Sequence, residues 1–391
     1  MKKILWLTSW FPNLTDPLTG DFIERHALSA SLYNDIYIIH VLKDYLQKTP
    51  GILFINKKKY NTHCVSLVIY YKTTFKKIKW VETIYSNYLF IRYFISALKS
   101  YIRKNGKPDC IHVHIALKAG IVALLAKWMY KIPYVVSEQW TGLCPEAKPN
   151  LDGKSFLFRW LWKLVMRNAS DYSAVSRYLG DAIRSRFALK PFFVIPNVVN
   201  TDLFYPSPHS KDQFQFIHVS TLNYQKNPQQ IFEAISALRQ KSNISFKVLV
   251  FGEPPDSLGQ LASRLDITNY VELKGTCPQK ILSQYMRQCN ALILYSRFET
   301  FGCVIIEANA CGLPVIVSDI PVLHENVQQG ITGVFVPPDN PEALADQMLS
   351  VMKQEHQFNS DAIVELTRKK YDFSVVGKQW DELYDHTLRN K

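Results

Sequence analysis

Thirteen short apolar runs recur from one end of this 391-residue chain to the other, each separated from the next by residues at helical spacing. The runs fall at 4–10, 35–42, 64–71, 110–115, 134–138, 172–176 and 192–199, then at 215–222, 246–252, 270–275, 291–296, 314–318 and 333–337. Strands that alternate with helices predict parallel sheets covered on both faces. So many strands exceed one comfortable sheet, and the length exceeds one typical core. The chain is therefore read as α/β, with two doubly wound domains. The break is expected at 200–212, where Pro196, Pro206 and Pro208 cluster with Asn, Ser, His and Asp. Charge changes sign at the same place. Residues 1–200 hold 29 Lys and Arg against 12 Asp and Glu, whereas residues 201–391 hold 17 against 21. The expected domains are 1–199 and 200–373, followed by a terminal helix over 374–391 carrying Val375, Val376, Trp380, Leu383 and Tyr384 at helical spacing. Open α/β sheets bind ligands beyond the carboxyl ends of their strands, so two such domains are expected to face each other across a ligand cleft.

Several function classes are disfavoured. No Gly-x-Gly-x-x-Gly follows the first run, which argues against a dehydrogenase. The seven cysteines are odd in number and form no Cys-x-x-Cys pair, so neither a disulfide framework nor a zinc site is expected, and reduced thiols in the cytoplasm fit better. The apolar N-terminal run ends at Pro12 with no small-residue cleavage site after it, so it reads as a buried strand rather than a signal peptide. The most apolar long segment, 85–102, is interrupted by Asn87, Arg92 and Lys99, so no membrane span is expected.

The segment from Ser296 to Asp319 carries the chemistry. A buried strand leads through a short loop to Gly302, which opens a helix, and Gly312 and Pro314 close that helix before the next strand. Free N–H groups and the positive dipole end at the helix start attract a phosphate. Glu299 and Glu307, one before the helix start and one within it, would repel that phosphate, so they must serve hydroxyls. Phosphate beside hydroxyl acceptors describes a nucleotide sugar. Glu138 and Glu146 repeat the spacing outside any such context and are read as accidental.

With Phe298, Ala308 and the Gly312-Leu-Pro-Val315 turn, this segment resembles the donor-site signature of family 4 glycosyltransferases, which are retaining enzymes of the GT-B fold. Ala174-Val-Ser176 and Ile195-Pro-Asn197 extend the resemblance over nearly the whole chain. The resemblance implies two Rossmann-like domains, an N-terminal one for the acceptor and a C-terminal one for the donor, with the terminal helix crossing back onto the first. It implies that Lys226 holds the diphosphate, while Thr221 stands where the family carries an Arg; Arg297 and Arg177 are the candidate substitutes. Backbone amides of Phe301, Gly302 and Cys303 would hold the distal phosphate and sugar, Glu307 the ribose hydroxyls and Glu299 the transferred ring. Gly252 and Gly275, with Thr276, would border the base. Gly20 matches a glycine loop at the reaction centre. His112 and His114 share one face of their strand, and His114, nearer its end, is the candidate for the catalytic centre; His26 is expected to face helix packing. Relatives often place His at the position of Gln139, which cannot take a proton at neutral pH. Transfer is expected to proceed by internal return, the leaving phosphate oxygen deprotonating the acceptor hydroxyl on the same face, with a covalent Glu299 adduct as the alternative.

No Asp-x-Asp lies at a strand end, so no metal and no cofactor beyond the nucleoside-diphosphate sugar co-substrate is expected, with Lys226 and helix dipoles carrying the charge. Residues 72–107 interleave Lys and Arg with Phe75, Trp80, Tyr85, Tyr88, Phe90, Tyr93, Phe94 and Tyr101, read as a helix pair that docks on an anionic inner membrane face. A lipid-linked glycan would be presented there, as in cell-surface polysaccharide synthesis. No nucleic-acid module accompanies the charge. Two other readings stay open: a degenerate sugar-nucleotide-binding subunit, favoured by Thr221 and Gln139, and a nucleotide-sugar epimerase of the same architecture.

Overall fold

A computed structural model describes residues 1–73, 79–207 and 213–390. Phe75, Lys76 and Lys77 of the basic stretch and Pro208 of the interdomain segment lie outside them. The chain forms two compact units. The first comprises Met1–Leu143, Pro149–Asn197 and Phe373–Lys391; the second comprises Cys144–Lys148 and Val198–Asp372.

The first unit runs β1 (Lys3–Thr8), α1 (Asp21–Ala30), β2 (Asp35–Lys43), β3 (Leu53–Asn61), β4 (Cys64–Tyr71), α2 (Lys79–Asn105), β5 (Cys110–His114), α3 (Ala119–Tyr130), β6 (Tyr134–Glu138), α4 (Phe156–Asn168), β7 (Asp171–Ala174), α5 (Arg177–Phe187) and β8 (Phe193–Val194). The second continues with β9 (Phe214–Val219), α6 (Pro228–Lys241), β10 (Phe246–Phe251), α7 (Asp256–Arg264), β11 (Val271–Gly275), α8 (Gln279–Met286), β12 (Ala291–Leu294), α9 (Cys303–Ala310), β13 (Val315–Ser318), β14 (Gly333–Val336), α10 (Pro341–Met352) and α11 (Ser360–Tyr371). The last helix, α12 (Phe373–Arg389), belongs to the first unit.

The sheets are ordered β3-β4-β2-β1-β5-β6-β7-β8 and β11-β10-β9-β12-β13-β14. Every pairing is parallel except that of β3 with β4. The near-continuous Val, Ile and Leu of the central strands follow from burial on both faces. β3 is the strand the apolar pattern does not announce. It lies on the sheet edge, largely exposed, with Lys57, Lys58 and Lys59 in succession, and such charges keep an edge from pairing with another chain. The run at 192–199 pairs over only Phe193 and Val194. Among the described residues the basic segment forms one 27-residue helix rather than a pair, because no Gly or Pro interrupts 79–105.

In each sheet the chain reverses direction beside its first strand. β1 lies between β2 and β5, and β9 lies between β10 and β12. The loops leaving these strands therefore surround the switch point where such sheets receive ligands.

α12 seals the first unit. Its Trp380, Leu383 and Tyr384 are buried, and Gly377 lets it meet α1 closely: a Cβ there would stand 2.3 Å from the Ser29 carbonyl oxygen. Lys2 pairs with Asp381 and Asp385 at 2.7 and 2.8 Å. All seven cysteines are free thiols.

Candidate functional site

The second unit brings Lys226 and Glu299 together. β9 and β12 are neighbours, with Ile217 opposite Leu292, so the loops that follow them meet. The β9 loop is fixed by a chain of hydrogen bonds. The Leu222 N–H donates to Ser220 Oγ (3.0 Å), which lies 2.8 Å from His218 Nε2, and His218 Nδ1 lies 2.9 Å from the Ile293 carbonyl. Burial holds His218 down at about 4, so the ring is neutral: Nδ1–H donates to the carbonyl and Nε2 accepts from the serine. Asn223 Oδ1 then accepts from the Lys226 N–H (3.2 Å) and closes a short turn over Tyr224–Lys226. Asn227 ends that turn at φ 54°, a left-handed position Asn tolerates, and Pro228 starts α6.

Lys226 Nζ is ion-paired with Glu299 Oε1. Glu299 is 4% exposed, and its carboxylate also accepts from Ser296 Oγ (2.8 Å), with Gln225 Nε2 at 3.5 Å. Gln225 Nε2 donates to the Phe298 carbonyl as well (3.0 Å), and the Arg297 N–H donates to the Gln225 carbonyl (2.8 Å), so the β9 turn is latched to the β12 loop at three successive residues, Arg297, Phe298 and Glu299.

Gly302 caps α9 at φ 87°; a Cβ there would crowd Ile305 Cδ1 at 3.0 Å and Leu294 Cδ2 at 3.3 Å. Gly302, at the N-cap, offers this helix start no side-chain hydrogen bond. The Phe301 carbonyl is held by Asn326 Nδ2 at 2.6 Å. Glu307, on the second turn of α9, is buried, with Gln279 Nε2 3.3 Å from Oε1. Gly252 permits close packing: a Cβ there would lie 2.2 Å from the Ser220 carbonyl oxygen. Its N–H donates to the Gly275 carbonyl at 3.0 Å. Thr221 is exposed. Arg297 turns toward Tyr224: its guanidinium lies 4.3 Å over that ring and donates to the Tyr224 carbonyl (2.7 Å). Arg177 opens α5 in the first unit.

In the first unit, Gly20 caps α1 at φ 67°, and a Cβ there would lie 2.8 Å from Phe11 N. His112 and His114 do share a face, clustered edge-on and tilted against Trp6 and Trp380 of α12. His112 is spanned by Tyr384 OH and Ser137 Oγ, both at 2.7 Å. His114 is 1% exposed, and its Nε2 has no partner among the described residues. Burial, then the neighbouring rings, hold both histidines well below the usual range, so both are neutral. His26 accepts from Trp380 Nε1 at Nδ1 (3.1 Å), which leaves Nε2–H to donate to Asn197 Oδ1 (3.0 Å); it belongs to helix packing. Gln139 Nε2 stands 3.3 Å from His26 Nε2. A cavity of about 560 Å³ opens past the ends of β1, β2 and β4, lined by Trp10, Asn13, Lys43, Tyr71, Glu82 and Lys118 among others.

The two units match two adjoining family descriptions: Glycosyltransferase Family 4 over residues 68–203 and Glycosyl transferases group 1 over residues 200–369. The chain belongs to the family 4 glycosyltransferases. It is 25% identical over 301 residues to the N-acetyl-alpha-D-glucosaminyl L-malate synthase of Bacillus anthracis, covering 72% of this chain and 76% of that one. It is 27% identical over 276 residues to D-inositol 3-phosphate glycosyltransferase 1 of Catenulispora acidiphila, covering 63% and 64%. Sucrose-phosphate synthase from Thermosynechococcus elongatus superposes over 100% of both chains with a TM-score of 0.79 at 18% identity. Anabaena HepE, solved with UDP and glucose, superposes over 98% of this chain and 100% of its own with a TM-score of 0.73 at 19% identity. These structures share the GT-B fold with this glycosyltransferase.

Ser296, Gln225 and Gln279 are contacts of the two glutamates that the sequence reading passes over. Ser296 opens the quoted segment and Gln225 precedes Lys226, but no spacing rule marks either. Among the described residues, no group of three His, Cys, Asp or Glu is placed to hold a metal ion.

Proposed function

We propose that this family 4 glycosyltransferase transfers a sugar, with retention of anomeric configuration, from a nucleoside diphosphate bound on the second unit to a glycan hydroxyl bound on the first. The observation that carries the reading is Lys226 paired with buried Glu299 at the switch point, beside the helix start that Gly302 opens and Glu307. Lys226 and the amides of Phe301, Gly302 and Cys303 stabilise the diphosphate as it leaves. Glu307 binds the ribose hydroxyls. Glu299 accepts from hydroxyls of the transferred ring; already engaged by Ser296 and Lys226, it serves as a clamp better than as a nucleophile. Gly252 and Gly275 keep the base side of the site free of side chains. His114 is neutral, so it offers hydrogen bonding through Nε2 rather than charge, and Gln139 offers only its amide. The leaving phosphate oxygen takes the acceptor proton on the same face. No metal enters this scheme.

With acceptor supplied, nucleoside diphosphate release is expected to rise, and NMR of the first-formed product is expected to show the donor's anomeric configuration. An inverted product contradicts retention, and acceptor-independent product chemistry favours the epimerase reading.

The acceptor is proposed to be lipid-linked and met at an anionic membrane surface from the cytoplasmic side. α2 exposes Trp80, Ile84 and Tyr88, spaced four residues apart, beside Arg92. α3 touches both α2 and α4, and α4 exposes Phe156, Leu157 and Trp160 with Arg159. The sequence reading missed this second aromatic face because α4 resembles an ordinary amphipathic helix. No helix among the described residues is long and apolar enough to cross a membrane. Sedimentation with vesicles containing anionic lipid is expected to fall at least about tenfold when Trp80 and Trp160 are both replaced by Ser. Equal sedimentation with neutral vesicles contradicts the docking.

A further inference from the structure

The turn that aims Lys226 at Glu299 carries Tyr224 on its other side, 71% exposed, into a separate cavity of about 660 Å³. The cavity lies between this turn and α7, and neither Lys226, Glu299, Gly302 nor Glu307 lines it. Its volume lies in the range of small-molecule sites. Arg297 also lines the cavity and lies against Tyr224, its guanidinium 4.3 Å from the ring centroid.

Several polar groups around this aromatic platform are unspent, whereas Asn223, Gln229 and Arg297 of the same wall are engaged. Ser257, Gln260 and Arg264, all on α7, line the cavity and make no side-chain hydrogen bond or ion pair among the described residues. Asn227 lines it too and is 2% exposed; its Nδ2 donates to Gln230 Oε1 (2.9 Å), while Oδ1 has no partner. A buried amide oxygen left unpaired costs stability unless a donor reaches it. The amide orientation is set: Gln230 Nε2 donates to Asp339 Oδ1 (3.1 Å), so Gln230 Oε1 must accept from Asn227.

We propose that this cavity is a second saccharide site, distinct from the donor residues, that takes a sugar ring bearing a carboxylate or a phosphate. The apolar C–H face of a pyranose lies flat on Tyr224, whose ring Arg297 fixes. Its hydroxyls exchange hydrogen bonds with Gln260, Ser257 and the Asn227 amide. The anionic substituent pairs with Arg264, the unpaired cation of the wall. A neutral sugar forms no ion pair with that exposed guanidinium, and a free anion makes no use of the aromatic platform and the amides.

Ligand-observed NMR titrations of the full chain with glucuronic acid, glucose 6-phosphate, glucose and inorganic phosphate test this. Both anionic sugars are expected to bind at least about tenfold more tightly than glucose or phosphate. Arg264→Ala and Tyr224→Ala, both exposed, are each expected to weaken that binding by about tenfold while leaving the unfolding temperature unchanged. Glu307→Ala is expected to leave it intact, which separates this site from the donor site. Phosphate binding as tightly as glucose 6-phosphate reduces the site to an anion hole and overturns the proposal. So does undiminished binding in Arg264→Ala, or loss of binding in Glu307→Ala.

Discussion

Lys226→Met is expected to weaken donor binding and to destabilise the second unit at the same time. Losing a charged contact to the diphosphate costs about 1.5–3 kcal/mol, or roughly 10–100-fold in affinity. Stability falls because Glu299, 4% exposed, is left without its cation. Breaking a buried pair costs about 3–5 kcal/mol. The lower end applies here, because Lys226 is 18% exposed and Ser296 still donates to the carboxylate. A double variant, Lys226→Met with Glu299→Gln, separates the two effects. It no longer buries an unpaired charge, so it is expected to unfold at a higher temperature than the single variant while binding donor no better. Thermal unfolding and donor titration of the three proteins check this. A double variant less stable than Lys226→Met contradicts the pairing.

Mild acid is expected to destabilise the first unit more than the second. Burial holds His26 at about 3 and His40 at about 4, against about 6.5 for the free side chain. Between those values the unfolded chain binds the proton and the folded one does not, so stability is present above pH 6.5 and is lost as pH falls. From pH 7 to pH 5 each of these histidines costs about 2 kcal/mol. His112 and His114 shift in the same direction and add to the loss. Glu138 acts oppositely. Burial raises it to about 7, so its contribution is complete at low pH and fades as pH rises, offsetting about one histidine. In the second unit burial holds His218 down in the same way, at about 4. Unfolding followed from pH 7 to pH 5 is therefore expected to show a falling midpoint, with the first unit's transition falling further. A midpoint that rises on acidification contradicts the neutral histidine cluster.

Much of the fold was legible because burial on both faces leaves a strand almost purely apolar. The runs at 64–71 and 134–138 coincide with β4 and β6. β3 was not legible for the complementary reason: an exposed antiparallel edge has no need of apolar residues and carries lysines instead. The α9 segment was readable from Gly302, which opens the helix as expected and does so from a left-handed cap. The site was legible only in part. Lys226 and Glu299 could be named, but 73 residues separate them, and their pairing exists because β9 adjoins β12. The shared face of His112 and His114 follows from strand alternation. Their burial does not, because it depends on α12, nearly 270 residues away in the chain, supplying Trp380 and Tyr384. Arg297 shows the same limit. It was one of two candidate substitutes for the family Arg, and its hydrogen bond to the Tyr224 carbonyl turns it toward that residue.

The central claim is that Glu307, Glu299 and Lys226 hold a nucleoside-diphosphate sugar. Thermal unfolding of the wild type and of Glu307→Ala with UDP-, GDP-, ADP- and dTDP-linked sugars tests it most directly. A donor present at about 100 times its dissociation constant adds about 2.7 kcal/mol of stability. The expected result is that one nucleotide stabilises the wild type and fails to stabilise Glu307→Ala. Stabilisation of both proteins alike, or of neither by any member of the panel, contradicts it.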